Sequence, residues 1–118
     1  DWSSDVCSSD LWGDATRIGG LLGEKLVLTE FVAYLHLADA MHPGPGATHA
    51  ALDGRSAQIA AYALCGFANF ASVAIQIGGL SVIAPSRRKE FASLALRAML
   101  GGALATQMTA SIAGLFIK

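Results

Sequence analysis

A long stretch without charged residues limits what this chain can fold into more than any other feature. No Asp, Glu, Lys or Arg occurs in residues 56–86, and a second uncharged stretch covers residues 98–117. Because a helix needs about 20 mostly apolar residues to cross a bilayer, each stretch is long enough to cross once. Only 14% of the whole chain is charged, compared with roughly 25% in soluble domains. The sequence therefore predicts an all-α membrane protein in which residues 56–118 form two transmembrane helices.

The short connection between the two uncharged stretches is basic. Pro85 ends the first stretch, and Arg87, Arg88 and Lys89 follow it. Proline commonly ends a helix, and loops rich in Lys and Arg remain on the cytoplasmic side of a membrane. We expect this connection to face the cytoplasm.

Residues 12–41 are apolar only in short pieces, which predicts a re-entrant helical hairpin. Residues 31–38 are apolar but are bounded by acidic side chains, and a helix of about eight residues is about 12 Å long. Such a helix is too short to cross a hydrocarbon layer of about 30 Å. Thr29 can cap this second arm of the hairpin, and the Gly- and Pro-containing residues 42–55 predict an aqueous loop.

The first residues of the chain differ from the rest. Residues 1–11 are rich in Ser and Asp and lack the basic start and apolar core of a secretory signal. They resemble the translation of a sequencing adapter, so we expect that they are not native and that the gene extends upstream. A native disordered tail is the alternative interpretation.

Polar side chains recur inside the first uncharged stretch. Cys65, Asn69, Ser72 and Gln76 follow one another at spacings that place them in one stripe along a continuous helix. Gly66 is less favourable in a helix than Ala by about 1 kcal/mol, which predicts a helix broken near its middle. Polar groups at such a break can contact a transported solute, or they can bond neighbouring helices together. The residue types leave both interpretations open.

Glu30 begins the second arm of the predicted hairpin. A carboxylate in the first turn of a helix is stabilised by the helix dipole, which gives it a purely structural role. An ionisable group at membrane depth is also a candidate functional residue, and a carboxylate can accept hydrogen bonds from paired sugar hydroxyls. Both interpretations stay open for Glu30.

Other patterns predict packing rather than chemistry. His36, Asp39 and His42 do not provide a full metal-ligand set, and Cys7 and Cys65 have no metal or redox spacing, so we expect no metal site. The net charge of -1 provides no basic face for nucleic acid. In the second uncharged stretch, small residues recur every fourth position, which favours close helix packing. They are Ala98, Gly102, Thr106, Ala110 and Gly114.

Ordered motifs resemble the concentrative nucleoside transporter family. Residues 23–34 read GEKLVLTEFVAY and are similar to that family's motif G-x-K-x-x-x-N-E-F-V-A. Residues 55–56, 59–70, 75–79 and 96–102 are similar, in the same order, to the helices that follow the motif, and Pro85, Arg87 and Arg88 continue the similarity. Two positions depart from the family pattern: Thr29 replaces an Asn, and Ala71 stands where Ser is frequent. The resemblance extends from about residue 23 to the C-terminus.

This resemblance implies the C-terminal part of a secondary transporter, not an enzyme, that moves nucleosides inward with Na⁺ or H⁺. Glu30 matches a hairpin-tip carboxylate that contacts ribose. Asn69 and Ser72 match residues of the broken helix that bind the ribose hydroxyls, and Phe67 matches an aromatic residue near the nucleobase. The chain would thus supply the ribose-binding half of the substrate site.

The resemblance also implies partners and a location. The partners are a nucleoside, the lipid bilayer, the missing N-terminal part of the same protein and two further copies in a homotrimer. The location is the bacterial inner membrane, which the protein would cross several times. The alternative function is a small membrane protein that packs against a partner helix bundle through Asn69, Ser72 and Gln76. A membrane enzyme that uses His36 and His42 is a third hypothesis.

Overall fold

The computed structural model describes residues 9–47 and 49–117 of the chain, and every regular element among them is helical. A 3-10 turn, Pro85–Arg87, precedes the last helix. The predicted all-α class is therefore confirmed for these residues. In chain order the helices are α1 (Ser9–Val27), α2 (Glu30–Met41), α3 (Gly54–Leu64), α4 (Phe70–Ile83) and α5 (Arg88–Phe116).

Helices α1 and α2 form a hairpin that turns at Leu28 and Thr29 and packs against α3. Thr29 has an extended backbone and occupies the N-cap position of α2, but its side chain makes no capping hydrogen bond. The predicted N-cap position of Thr29 is therefore confirmed, whereas a capping hydrogen bond from its side chain is absent. A buried apolar core joins the hairpin to α3 and consists of Leu21, Ala33, Leu37, Leu52, Ala57, Ala60 and Leu64.

The hairpin begins earlier than its predicted start at residue 12. Helix α1 begins at Ser9, so it includes the last part of residues 1–11, which we predict to be non-native. Residues 1–8, which include Cys7, lie outside the described part of the chain. The non-native origin of residues 1–11 therefore stays a prediction.

Helix α3 begins at Gly54 rather than at residue 56 because Asp53 caps it. The Asp53 carboxylate accepts hydrogen bonds from the backbone N–H groups of Arg55 and Ser56, at 3.0 and 3.3 Å. These are two of the four N–H groups that a helix N-terminus leaves without intrahelical partners. The predicted loop therefore ends two residues early, since the cap at Asp53 sets the helix start.

The first uncharged stretch contains two helices. Helix α3 ends at Leu64, residues 65–69 are not helical, and α4 begins at Phe70. Cys65 therefore does not share a helix with the polar residues that follow it, and its side chain is exposed. The prediction of one stripe along a continuous helix is wrong for Cys65.

Helix α5 is the longest element and lies against both α3 and α4. A Cβ added at Gly102 would lie 3.4 Å from Ala68 Cβ, and one added at Gly114 would lie 3.1 Å from Ile59 Cδ1. Small residues thus let α5 approach α3 and the non-helical segment closely. The outward surfaces of α4 and α5 carry large exposed apolar side chains, among them Ile75, Val82, Ile83, Leu104, Leu115 and Phe116.

Candidate binding site at the helix break

The tip of the hairpin meets the non-helical segment between α3 and α4. The side-chain amide of Asn69 donates a hydrogen bond to the Glu30 carboxylate, with a distance of 2.7 Å between Nδ2 and Oε2. The amide oxygen of Asn69 accepts from the backbone N–H of Ser72, also at 2.7 Å. Asn69 is buried, with 1% of its surface exposed. One side chain therefore caps α4 and holds the carboxylate of the hairpin tip.

The other two predicted site residues lie in a groove beside Asn69. Phe67 and Ser72 line a groove of about 500 Å³ between α4 and α5, together with Asn69. Phe67 is 71% exposed, so its ring is free to contact another molecule. Glu30 does not line this groove. The remaining lining is largely apolar and consists of Ala68, Val73, Gln76, Leu80, Phe91, Leu94, Ala95, Ala98 and Met99.

The hairpin also bonds to the C-terminal end of α3. The last four carbonyls of a helix have no intrahelical partner. The Lys25 ammonium donates to the carbonyl of Ala63 at 2.8 Å, and the Tyr34 hydroxyl donates to the carbonyl of Ala61 at 2.7 Å. Both ends of the break are therefore bonded to the hairpin, since Asn69 on the α4 side is bonded to Glu30.

Sequence reasoning missed Lys25 as a site residue, although its spacing carries a signal. Lys25 is buried, with 2% of its surface exposed, and fully buried lysines are rare. Ile18, Leu21 and Lys25 are separated by three and four residues, which places them on one face of α1. Ile18 and Leu21 both contribute to the core against α3. A lysine in register with that apolar face indicates a buried cation with a specific partner.

Gly66 is required at the break by a close approach rather than by its low helix propensity alone. A Cβ at this position would overlap the Thr106 methyl carbon of α5 and would lie 3.3 Å from Thr106 Cβ. The backbone of Gly66 is not in the left-handed region, so space, and not backbone conformation, demands glycine here.

His36, one of the three residues considered as metal ligands from the sequence, contacts Glu24 within the hairpin. His36 Nδ1 lies 2.7 Å from Glu24 Oε2, and both side chains are partly exposed to solvent. Across the part of the chain that the structure describes, no three His, Cys, Asp or Glu side chains are grouped to hold a metal ion.

Comparison with known proteins identifies the family. Residues 8–114 match the family model described as Na⁺ dependent nucleoside transporter C-terminus. The chain is 43% identical over 106 residues to the putative nucleoside permease NupX of Escherichia coli, covering 90% of this chain and 24% of the permease. It is 46% identical over 111 residues to solute carrier family 28 member 3 of Mus musculus, covering 88% of this chain and 16% of the carrier.

A solved structure has the same fold. The structure of CNTnw in an inward-facing substrate-bound state superimposes with a TM-score of 0.80 at 43% sequence identity. The match covers 89% of this chain and 24% of CNTnw, so the chain spans about a quarter of that protein. The relatives are integral membrane transporters and not enzymes. This chain therefore belongs to the family of Na⁺-dependent, or concentrative, nucleoside transporters and corresponds to their C-terminal part.

Proposed function

We propose that this chain is the C-terminal part of a cation-coupled nucleoside symporter and forms the ribose-binding half of its substrate site. The observation that carries the proposal is the 2.7 Å hydrogen bond between Asn69 and Glu30. This bond joins a hairpin tip to a helix break, although the two residues are far apart in the sequence. It places a carboxylate acceptor and an amide donor side by side, which suits a sugar that carries neighbouring hydroxyls.

The polar groups at the break complement a ribose diol. Each sugar hydroxyl can donate one hydrogen bond and accept others. Glu30 accepts, Asn69 has a second amide hydrogen to donate, and the Ser72 hydroxyl can do either. The N-terminal end of α4, which begins immediately after Asn69, adds the partial positive charge of a helix N-terminus. The exposed ring of Phe67 offers an apolar face to the nucleobase.

The helix lengths support the proposed membrane arrangement. Helix α5 has 29 residues, so it is about 44 Å long at 1.5 Å per residue and exceeds the hydrocarbon thickness of about 30 Å. It is the one helix among the described residues that is long and apolar enough to cross alone. Helix α4 has 14 residues and, at about 21 Å, crosses only in combination with α3. The hairpin then enters the membrane without crossing it.

The exposed apolar surfaces of α4 and α5 require a cover. In the complete protein, lipid and the missing N-terminal part would provide it, because surfaces of this kind rarely face water. The proposed location is the bacterial inner membrane, crossed several times, with the basic connection after Pro85 in the cytoplasm. We further propose a homotrimer, coupling to Na⁺ or H⁺, and contacts to the nucleobase from the upstream half.

The test is uptake of labelled uridine and adenosine by membranes that contain the complete gene product. The substitution Glu30→Gln removes the negative charge of the group that accepts the Asn69 hydrogen bond and keeps the shape of the side chain. A hydrogen bond to a charged group contributes about 1.5–3 kcal/mol, and 1.4 kcal/mol corresponds to about tenfold. We therefore expect uptake efficiency to fall by about 10- to 100-fold.

Glu24→Gln is the matched control, because Glu24 is a carboxylate of the same hairpin that pairs with His36, whereas Glu30 pairs with Asn69. This control should transport normally. Normal uptake by Glu30→Gln at a normal protein level would contradict the proposed role of Glu30. A complete wild-type protein that takes up no nucleoside would instead favour the alternative, in which Asn69, Ser72 and Gln76 bond to a partner helix bundle.

A further inference from the structure

The Lys25 side chain occupies an unusual position at the open C-terminal end of α3. Its ammonium donates to the Ala63 carbonyl at 2.8 Å and lies 3.4 Å from the Thr106 hydroxyl of α5. Three separate elements, α1, α3 and α5, thus converge on one buried cation. The carbonyl end of a helix carries partial negative charge, which favours a cation there.

Burial makes this contact specific. Removing an ammonium group from water is unfavourable unless hydrogen bonds and nearby negative charge compensate. Here the compensation comes from the α3 carbonyl and from the Thr106 hydroxyl. Lys25 is therefore stabilised only while the hairpin, α3 and α5 keep their present arrangement.

We propose that Lys25 is a positioning residue for the substrate site, because it fastens the hairpin to α3 and so keeps Glu30 within hydrogen-bonding distance of Asn69. Lys25 precedes the hairpin tip that carries Glu30, and Ala63 precedes the break that carries Asn69. Tyr34 provides a second fastening from the other arm of the hairpin, through its bond to the Ala61 carbonyl. The inference rests on the proposed function, in which Glu30 and Asn69 bind the ribose.

The experiment compares three variants of the complete protein in nucleoside uptake. Lys25→Met keeps most of the side-chain volume and removes the donor, and Tyr34→Phe removes the hydroxyl that donates to the Ala61 carbonyl. Lys89→Met is the matched control, because it removes a lysine from an exposed position at the start of α5. For each variant, KM and Vmax are measured, and Vmax is normalised to the amount of protein in the membrane.

Lys25→Met should raise the KM for uridine by about tenfold or more, as expected for the loss of a buried hydrogen bond to a charged group. Tyr34→Phe should raise KM by a smaller factor, about threefold to tenfold, because its hydroxyl is neutral. The control should leave KM unchanged. A role in folding alone would lower the amount of protein and Vmax while KM stayed constant, and that result would overturn the proposal.

A second measurement tests the fastening without transport. The backbone N–H groups of Cys65 and Asn69 in the break donate to the Tyr62 and Phe67 carbonyls, so their rate of deuterium labelling reports how often the break opens. Lys25→Met should accelerate this labelling relative to Lys89→Met, and an unchanged rate would overturn the proposal.

The two measurements separate the failure of this inference from the failure of the proposed function. A wild-type protein that transports no nucleoside refutes the proposed function, whereas the labelling rate still decides whether Lys25 fastens the break. If Lys25→Met does not accumulate in the membrane, Tyr34→Phe decides, and an unchanged KM in that variant overturns the proposal.

Discussion

Replacing Gly66 with alanine should push α5 away from the helix break. The added Cβ would overlap the Thr106 methyl carbon and would lie 3.4 Å from the Thr106 hydroxyl oxygen. Thr106 cannot easily rotate away, because its hydroxyl donates to the Ala103 carbonyl at 2.8 Å. The strain must therefore move the backbone of the break or of α5.

The magnitude follows from the cost of overpacking. Inserting one carbon into a well-packed site costs about 1–3 kcal/mol, and Gly66 is outside the helices, so alanine gains no helix propensity there. Thr106→Ser removes the methyl carbon that the new Cβ meets and keeps the hydroxyl. We therefore expect Gly66→Ala to destabilise the protein by about 1–3 kcal/mol and the double variant Gly66→Ala with Thr106→Ser to recover most of that loss.

The assay is the apparent Tm of the complete protein in detergent, read as the fraction that stays monodisperse after heating. Gly78→Ala is the control, because a Cβ at Gly78 meets no side chain or neighbouring element of the described chain within 4 Å, and Gly78 lies in a helix that alanine favours by about 0.5–1 kcal/mol. Gly66→Ala should lower the apparent Tm, and Gly78→Ala should not. An unchanged Tm for Gly66→Ala, or no recovery by Thr106→Ser, would refute the close-approach argument.

The remaining predictions concern the two helix caps. Asn69→Ala should lower the apparent Tm, since a lost N-cap costs about 0.5–2 kcal/mol, and it should also reduce uptake. Ser72→Ala keeps the backbone N–H that donates to Asn69, so it should raise KM at an unchanged Tm. Equal Tm values for Asn69→Ala and the wild type would contradict the cap. Asp53→Ala should destabilise the protein by about 1 kcal/mol and so lower the Tm. KM should stay constant, because this cap is at the other end of α3 from the break. A changed KM there would show that the two ends of α3 are coupled.

The helical class and the position of the break could be predicted from local sequence patterns. The absence of charge in residues 56–86 indicates helices that are buried in lipid or protein, because charges are expensive there. Gly66 indicates the break. Thr29 shows the limit of such reasoning, since a residue of the right type at the right position makes no capping bond. Cap formation depends on a side-chain rotamer that residue type alone does not set.

The candidate site could be predicted only in part. Glu30 and Asn69 each stand out as polar residues in apolar surroundings, but each has a plausible structural role on its own. Their hydrogen bond depends on how the hairpin packs against α3, and that packing depends on many contacts distant in sequence. The spacing of Lys25 places it on the apolar face of α1, but its bond to the Ala63 carbonyl depends on how the hairpin packs against α3.

The sequence by itself determined the family, the helical class, the uncharged stretches and the presence of polar residues at a weak point of a helix. The family follows from the ordered motifs, and the other features follow from residue type and short-range periodicity, which do not depend on the rest of the fold. Only the tertiary structure decided that Asn69 donates a hydrogen bond to Glu30, that Lys25 donates one to a carbonyl at the C-terminal end of α3 and that Thr106 leaves no room for a side chain at residue 66. Each of these contacts joins elements that are distant along the chain, and only packing of the hairpin and α5 against the break brings them within a few ångströms.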